Sequence, residues 1–261
     1  VRALAACHIH SDWSYDGQWK IDALAREFSR RGFQAVLMTE HDRGFTPARQ
    51  EAHRRACAEA GSDRLLVVPG IEYSESTNTI HILVWGNVPF LGENRPTSEI
   101  LDAVKHHNGV AVMAHPSRRQ AWKKFDDAWT DRLLGIEFWN RKTDGWCPSA
   151  TAPQISRGPN IVPFVGMDFH TKKQFFPLAM ALDLDSGLNE ESVLNALRSR
   201  RCAPLAFGRP LQDGALRRSL PVLGMAERAR RSCAWLYRKA RAMRPAPIQI
   251  KTENPQPQGK L

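Results

Sequence analysis

Short apolar runs alternate with amphipathic stretches along most of this chain. Residues 4–10 (LAACHIH), 35–42 (AVLMTEHD), 65–74 (LLVVPGIEYS), 79–86 (TIHILVWG) and 110–116 (VAVMAHP) read as strands. So do residues 133–140 (LLGIEFWN), 161–170 (IVPFVGMDFH) and 177–185 (PLAMALDLD). Residues 22–32, 47–61, 97–109 and 189–200 read as helices between them. In the first, Ala23, Leu24 and Phe28 share one side and Gly32 is the stop; Pro47 opens the second, and Thr97 is the expected cap of the third. The alternation predicts parallel strands covered by helices, and the unbroken apolar runs fit strands buried on both faces. Seven or eight strand candidates are enough to close a barrel. Residues 141–163, rich in Trp, Pro and Gly, read as an irregular loop near its mouth.

The polar residues favour that barrel over an open doubly wound sheet. His8 and His10, Glu40-His41-Asp42, Glu72, His81, His115, and Asp168 with His170 recur at successive strand ends, which a barrel gathers at one mouth. His8 and His10, two apart in a strand, are expected on one side, as are Asp168 and His170. His53, His106 and His107 fall within helices and read as packing or surface residues. No GxGxxG or GxxxxGK[ST] loop supports a nucleotide-cofactor fold. Each polar residue alone has an ordinary explanation, such as an Asx-turn before Gly17 for Asp12 or Asp16. Those explanations would have to hold independently at six strand ends. Imidazole and carboxylate together suit Zn, Mn or Fe, and the set is larger than one tetrahedral ion uses, so two or three divalent ions are expected.

Composition adds less. The 261 residues are 42% hydrophobic, which fits a globular protein with one large core or two modest ones. No apolar run is long enough to span a bilayer. The opening is too short and polar for a signal peptide, although the absent initiator Met leaves a removed leader open. Five widely spaced cysteines argue against a disulfide framework and for a reducing, cytoplasmic setting.

Charge is uneven. Residues 1–197 hold 22 Lys/Arg against 24 Asp/Glu, whereas residues 198–261 hold 15 against 3. Within the basic part, Val222, Ala226, Ala229, Cys233, Leu236, Ala240 and Met243 follow helical spacing, with arginines largely elsewhere. The expectation is a basic helix over 222–244 that packs on the body and leaves its charges in water. Contact with nucleic acid, a partner or an anionic membrane surface is the alternative. Residues 245–261 read as a disordered tail.

In order along the chain, HIHSDWSYDG, TEHD, PGIEYS, HILVWG, VMAHPS and GMDFH resemble the motifs of the PHP family, the polymerase and histidinol phosphatase domains. The resemblance spans residues 3 to about 200. It implies a distorted seven-stranded (β/α) barrel over residues 1–200 with metals at the strand C-terminal ends, followed by the basic extension over 201–244. It also implies His8, His10, Glu72 and Asp168 for a first ion, Glu72, His81 and His115 for a second, and Asp16, His41 and His170 for a third. Many relatives have His where Asp16 stands, which leaves the third position open.

The activity implied is hydrolysis of a phosphoester, a phosphomonoester or a nucleotide-type phosphodiester, by a metal-activated hydroxide. Glu72 and Asp168 would serve catalysis through the ions. Arg118, after HPS, and Arg43, after TEHD, are the candidate phosphate-binding cations, with Lys142, Lys172 and Lys173 behind them. Asp42 is a candidate to orient a ligand histidine, and Trp13, Tyr15, Trp139 and Trp146 are candidates to stack on a base. Two other readings remain: a hydrolase of non-phosphate esters or carbamates on the same site, and a nucleic-acid or anionic-surface binding protein with a secondary metal site.

Overall fold

The structure, a computed structural model, describes residues 1–149, 155 and 161–242. The expected tail over 245–261, the last two residues of the expected helix over 222–244, and part of the loop expected over 141–163 lie outside the described residues. In chain order the body contains β1 (Arg2–Ile9), α1 (Ile21–Arg30), β2 (Ala35–Met38), β3 (Glu40–His41), α2 (Pro47–Ala60), β4 (Leu66–Val68), β5 (Gly70–Ser74) and β6 (His81–Trp85). Next come α3 (Thr97–His106), β7 (Val110–Met113), a 3-10 segment (Arg118–Lys124), β8 (Gly135–Asn140), α4 (Arg141–Asp144) and β9 (Val162–Gly166). β10 (Leu178–Asp183), α5 (Glu190–Arg198), β11 (Cys202–Ala206), β12 (Arg209–Pro210) and α6 (Gly214–Ala242) complete it.

Strand pairing among these residues gives two six-stranded sheets, ordered β12-β11-β10-β1-β2-β4 and β3-β5-β6-β7-β8-β9, rather than one closed seven-stranded ladder. Nor is the pairing all parallel: β1/β10, β10/β11, β5/β6 and β6/β7 are antiparallel. The link from β5 to β6 is too short for a crossover, so those two strands form a hairpin. At β6/β7 and β10/β11 the helix between the strands returns the chain to the end it left, so alternation did not imply parallel pairing. Two expected strands are divided between the sheets. Residues 35–42 switch at Thr39 and residues 65–74 at Pro69, whose missing N–H cannot extend a ladder. Thr97 is the first residue of α3 rather than its cap, which is Pro96.

The two sheets meet where β1 ends. The amides of Met167 and Phe169 donate to the carbonyls of Cys7 and His8 (both 3.0 Å), and the His10 amide donates to the Phe169 carbonyl (2.9 Å). Between the sheets lies a core of Leu37, Val68, Leu83, Trp85, Val112, Phe164 and Met180. Leu24, Ala25 and Phe28 of α1 and Cys57 of α2 cover one sheet, and Ile100, Leu101 and Val104 of α3 cover the other. Tight packing at the crossing fixes Gly70: a Cβ there would run into the Met38 carbonyl and the Trp85 ring, and Trp85 Nε1 donates to that same carbonyl (2.8 Å).

Two features depart from the pattern in sequence. The first sheet continues past residue 200, because β11 pairs with β10 and β12 with β11. Pro204 and Pro210 hid these strands, although proline is tolerated towards a sheet edge. α6 starts at Gly214, before Pro221, with Asp213 Oδ1 accepting from the Leu216 amide (2.9 Å). Its expected apolar stripe does not face the body: Val222, Ala226, Ala229, Cys233 and Leu236 are exposed. Leu216 is buried instead, in the core between the sheets, and so is Glu227, because the body offers that part of α6 a polar seat. Arg231 Nη2 donates to the carbonyls of Thr143 (3.0 Å) and Asp144 (2.7 Å). No helix among the described residues is long and apolar enough to cross a membrane.

Gly70→Ala should lower the unfolding free energy by about 1–3 kcal/mol, the usual cost of overpacking. Urea unfolding reads it, and an unchanged midpoint would show that the crossing is not tightly packed.

Candidate metal centre

Glu72, in the middle of β5 and 1% exposed, is the centre of the site. His81 Nδ1 (2.7 Å), His115 Nε2 (3.0 Å) and His8 Nε2 (3.5 Å) surround its Oε1. His41 Nδ1 (3.0 Å) and His10 Nε2 (3.4 Å) surround its Oε2. Asp168 Oδ1 lies 3.8 Å from both His8 Nε2 and His10 Nε2 and 3.2 Å from His170 Nδ1. Asp16 Oδ1 lies 3.2 Å from both His41 Nε2 and His170 Nε2. All nine residues expected as metal ligands are therefore drawn together, from segments spread over most of the body.

The backbone bends to achieve this. His8, His115 and Asp168 have φ of 61°, 27° and 49°, in or near a left-handed region that costs roughly 1–3 kcal/mol per non-glycine residue. At His8 the bend breaks the β1–β2 register between Cys7 and Ile9. Simple alternation along a strand is therefore not what brings His8 and His10 together, although their ring centroids are 5.2 Å apart.

Hydrogen bonds behind the site aim the rings. His8 Nδ1 donates to Glu137 Oε1 (2.9 Å), and Glu137 Oε2 accepts from the His115 amide (2.7 Å) and from Asn140 Nδ2 (2.8 Å). His10 Nδ1 donates to Ser14 Oγ (3.1 Å), which donates to Glu40 (2.5 Å). His170 Nδ1 donates to the Asp168 carbonyl (3.0 Å). In each case the ring's other nitrogen is left to face the site, the arrangement typical of metal-binding histidines.

Electrostatics keep the acids ionised. Burial pushes Glu72 up, but His81 and His8 outweigh it and hold the carboxyl well below its ordinary range. Asp168 is likewise pushed up by burial, yet His8 and Lys142 bring it down to about 2. Partial burial raises Asp16, and hydrogen bonds from His170 and His41 overcome it and hold it far below a usual carboxylate. His10 is lowered well below an ordinary imidazole by burial and then by His41 and His170, so it is neutral as a metal ligand must be. His41 goes the other way: burial lowers it, but Asp16 and Glu72 push it up to about 10.

The donor set fits divalent cations. His8 Nε2, His10 Nε2, His115 Nδ1 and Glu72 Oε2 are buried and make no hydrogen bond. Orphaned atoms of this kind cost about 1–3 kcal/mol each without a partner. Among the described residues, three triads have ligand atoms mutually close enough to hold an ion: His8 with Glu72 and His115, His8 with His10 and Asp168, and His10 with His41 and His170. His81 and Asp16 border these triads. A cavity of about 350 Å³ opens onto them, lined also by Arg43, Arg118 and Lys142.

The remaining candidates divide. Arg118 Nη1 donates to the Asn78 carbonyl (3.0 Å) and lies 3.1 Å from His81 Nε2, and the Arg43 guanidinium lies 5.4 Å from the Tyr15 ring centroid. Tyr15 is exposed and stacked on His41, whereas Trp139 is fully buried in the core. Asp42 bonds the Ser74 amide (3.2 Å) and hydroxyl (3.4 Å), so it anchors the end of β5 rather than a ligand ring. His53, expected as a packing residue, lies buried 3.6 Å from Glu40. The sequence reading missed Glu137 and Ser14. A lone acid inside the apolar run LLGIEFWN was the available signal for Glu137; Ser14 had none.

This body has counterparts among solved structures. The chain is similar to a two-domain protein from Bacteroides vulgatus containing a predicted PHP-like metal-dependent phosphoesterase, with TM-score 0.61 and 18% identity over 79% of this chain. The fold is PHP-like. The match spans 65% of the Bacteroides protein, just under two thirds of its length. A Bifidobacterium adolescentis protein provisionally assigned as a metal-dependent phosphoesterase matches at TM-score 0.51 and 17% identity, over 75% of this chain and 96% of that one. The lesion-specific endonuclease EndoQ from Pyrococcus furiosus matches at TM-score 0.54 and 13% identity, over 76% of this chain and 56% of that one. At these identities the likeness is one of fold. No family model and no curated protein matches the sequence.

Glu137→Gln removes the charge behind His8 while keeping the shape. It should weaken binding of Mn or Zn by about 10–100-fold, the usual effect of losing a residue that orients a ligand. Competition with a chelating dye measures this, and unchanged affinity would contradict the role given to Glu137.

Proposed function

We propose that this protein is a metal-dependent hydrolase of phosphoesters, acting on a phosphomonoester or a nucleotide-type phosphodiester. The observation that carries the reading is the crowding of five imidazoles around one ionised, buried carboxylate at the floor of a cavity rimmed by cations. His8, His10, Glu72 and Asp168 would hold one ion, Glu72, His81 and His115 a second, and Asp16, His41 and His170 are the candidates for a third, with Glu72 shared. Mn, Zn and Fe suit this nitrogen and oxygen set. Ions bound there would activate water near neutral pH and neutralise charge on phosphoryl oxygens.

The chain's own residues would do the rest. Arg118, anchored on Asn78, and Arg43, beside Tyr15, would bind phosphoryl oxygens on the open side of the cavity. Tyr15, which is 68% exposed, could cover a base or other aromatic group. The buried floor excludes bulk water and strengthens these charge interactions. Five free cysteines fit a reducing, cytoplasmic setting.

Arg217, Arg218, Arg228, Arg230 and Arg231 are exposed along α6, which favours an extended polyanion as a second reading of the substrate. The likeness to the Pyrococcus endonuclease fits that reading.

The test is a panel of p-nitrophenyl phosphate, bis-p-nitrophenyl phosphate, nucleotides and a short oligonucleotide, with protein loaded with Mn, Zn or Fe(II). Turnover of at least one phosphoester, abolished by chelation, is expected. Turnover of a carboxylic ester or carbamate with no phosphoester hydrolysed would overturn the proposal.

A further inference from the structure

Arg118 touches one candidate ligand ring, His81, whereas the Lys142 ammonium reaches two candidate ligands at once, Asp168 and His170. Nζ donates to Asp168 Oδ1 at 3.1 Å and is 3.3 Å from both ring nitrogens of His170. His170 is in turn a member, with His41 and Asp16, of the outermost candidate ligand group. A zinc-like divalent ion bound by His170 would sit about 2.0–2.1 Å from one of its nitrogens. An ammonium this close to both nitrogens competes for the same space, and two cations there would repel each other.

The lysine does not reach this point from a loose loop. It is carried on α4, which begins as soon as β8 ends, and Asn140 Oδ1 caps the turn by accepting from the Thr143 amide (2.9 Å). Asp144, at the end of the turn, is buried and accepts from Ser117 Oγ (2.6 Å) and the Asn140 amide (2.8 Å). From the far side α6 closes on the same turn. Arg231 donates to the two last carbonyls of α4, and Glu227, which accepts from Arg230 and Arg231, fills the space where Gly145 has no Cβ. Gly145 has a φ of 86°, so a side chain there would be both strained and blocked by Glu227. The turn carrying Lys142 is thus tied to β8, to the segment after β7 and to α6.

Resting on the metal-centre reading above, we infer that the Lys142 ammonium takes the place of a third metal ion, so that the chain holds two ions and one fixed cation. Glu72 and Asp168 keep their ions on the inner side. Asp16, His41 and His170 face the lysine instead of a third ion, and α6 serves to hold α4 in register.

Metal content of full-length protein saturated with Mn and then desalted, read by inductively coupled plasma mass spectrometry, tests this without any substrate. Two ions per chain are expected for the wild type, three for Lys142→Met, and two again for Lys142→Arg, which keeps the charge. Circular dichroism checks that both variants are folded. Three ions in the wild type, or no third ion in folded Lys142→Met, would overturn the inference while leaving the metal-dependent hydrolase reading intact. A wild type that binds no metal would remove that reading and this inference with it.

Discussion

An ionised carboxylate buried in the middle of a hairpin strand is the constraint around which this protein is organised. Glu72 is almost fully removed from water, and a charge in that position is tolerated only with close partners of opposite sign or with donors. The chain supplies five imidazoles within 3.5 Å, more than a carboxylate with about four lone-pair sites can satisfy by hydrogen bonding alone. Imidazole nitrogens that donate nothing to Glu72, such as His8 Nε2 and His10 Nε2, turn lone pairs towards the carboxylate, an arrangement that suits cations held between them.

Much of the architecture follows from bringing those rings to one place. β1 ends in a left-handed His8, the segment after β9 bends at Asp168, and β7 gives way to a strained His115. The cost of these bends is offset by the amides that join β1 to the segment after β9 and by Glu137, which holds His8 and His115 together. Glycines at the crossing points leave room for that closeness. Gly166 has no Cβ where Glu137 and His8 would be struck, and Gly70 has none where Trp85 crosses Met38.

The site was more legible in the sequence than the fold was. Histidines and acids at the ends of apolar runs point to ligands because few other pressures put them there repeatedly, and His8, His10, Glu72, His81, His115 and Asp168 do converge. The division into two mixed sheets was not legible. It depends on single residues such as Thr39 and Pro69, where an apolar run changes sheet without changing its pattern. Nor was the packing of α6, since periodicity marked a stripe from Val222 to Met243 while the helix docks through Arg231, which donates to the carbonyls of α4, and Glu227, which accepts from Arg231. Ser14 and Glu137 act behind the ligands, and only three-dimensional contact reveals them.

The most direct measurement is anomalous diffraction at the manganese edge from crystals of Mn-loaded protein. Two peaks about 3.5–4 Å apart, the spacing of paired ions in two-metal sites, are expected within reach of Glu72. A single peak out of reach of Glu72, or no peak among these histidines, would contradict that expectation.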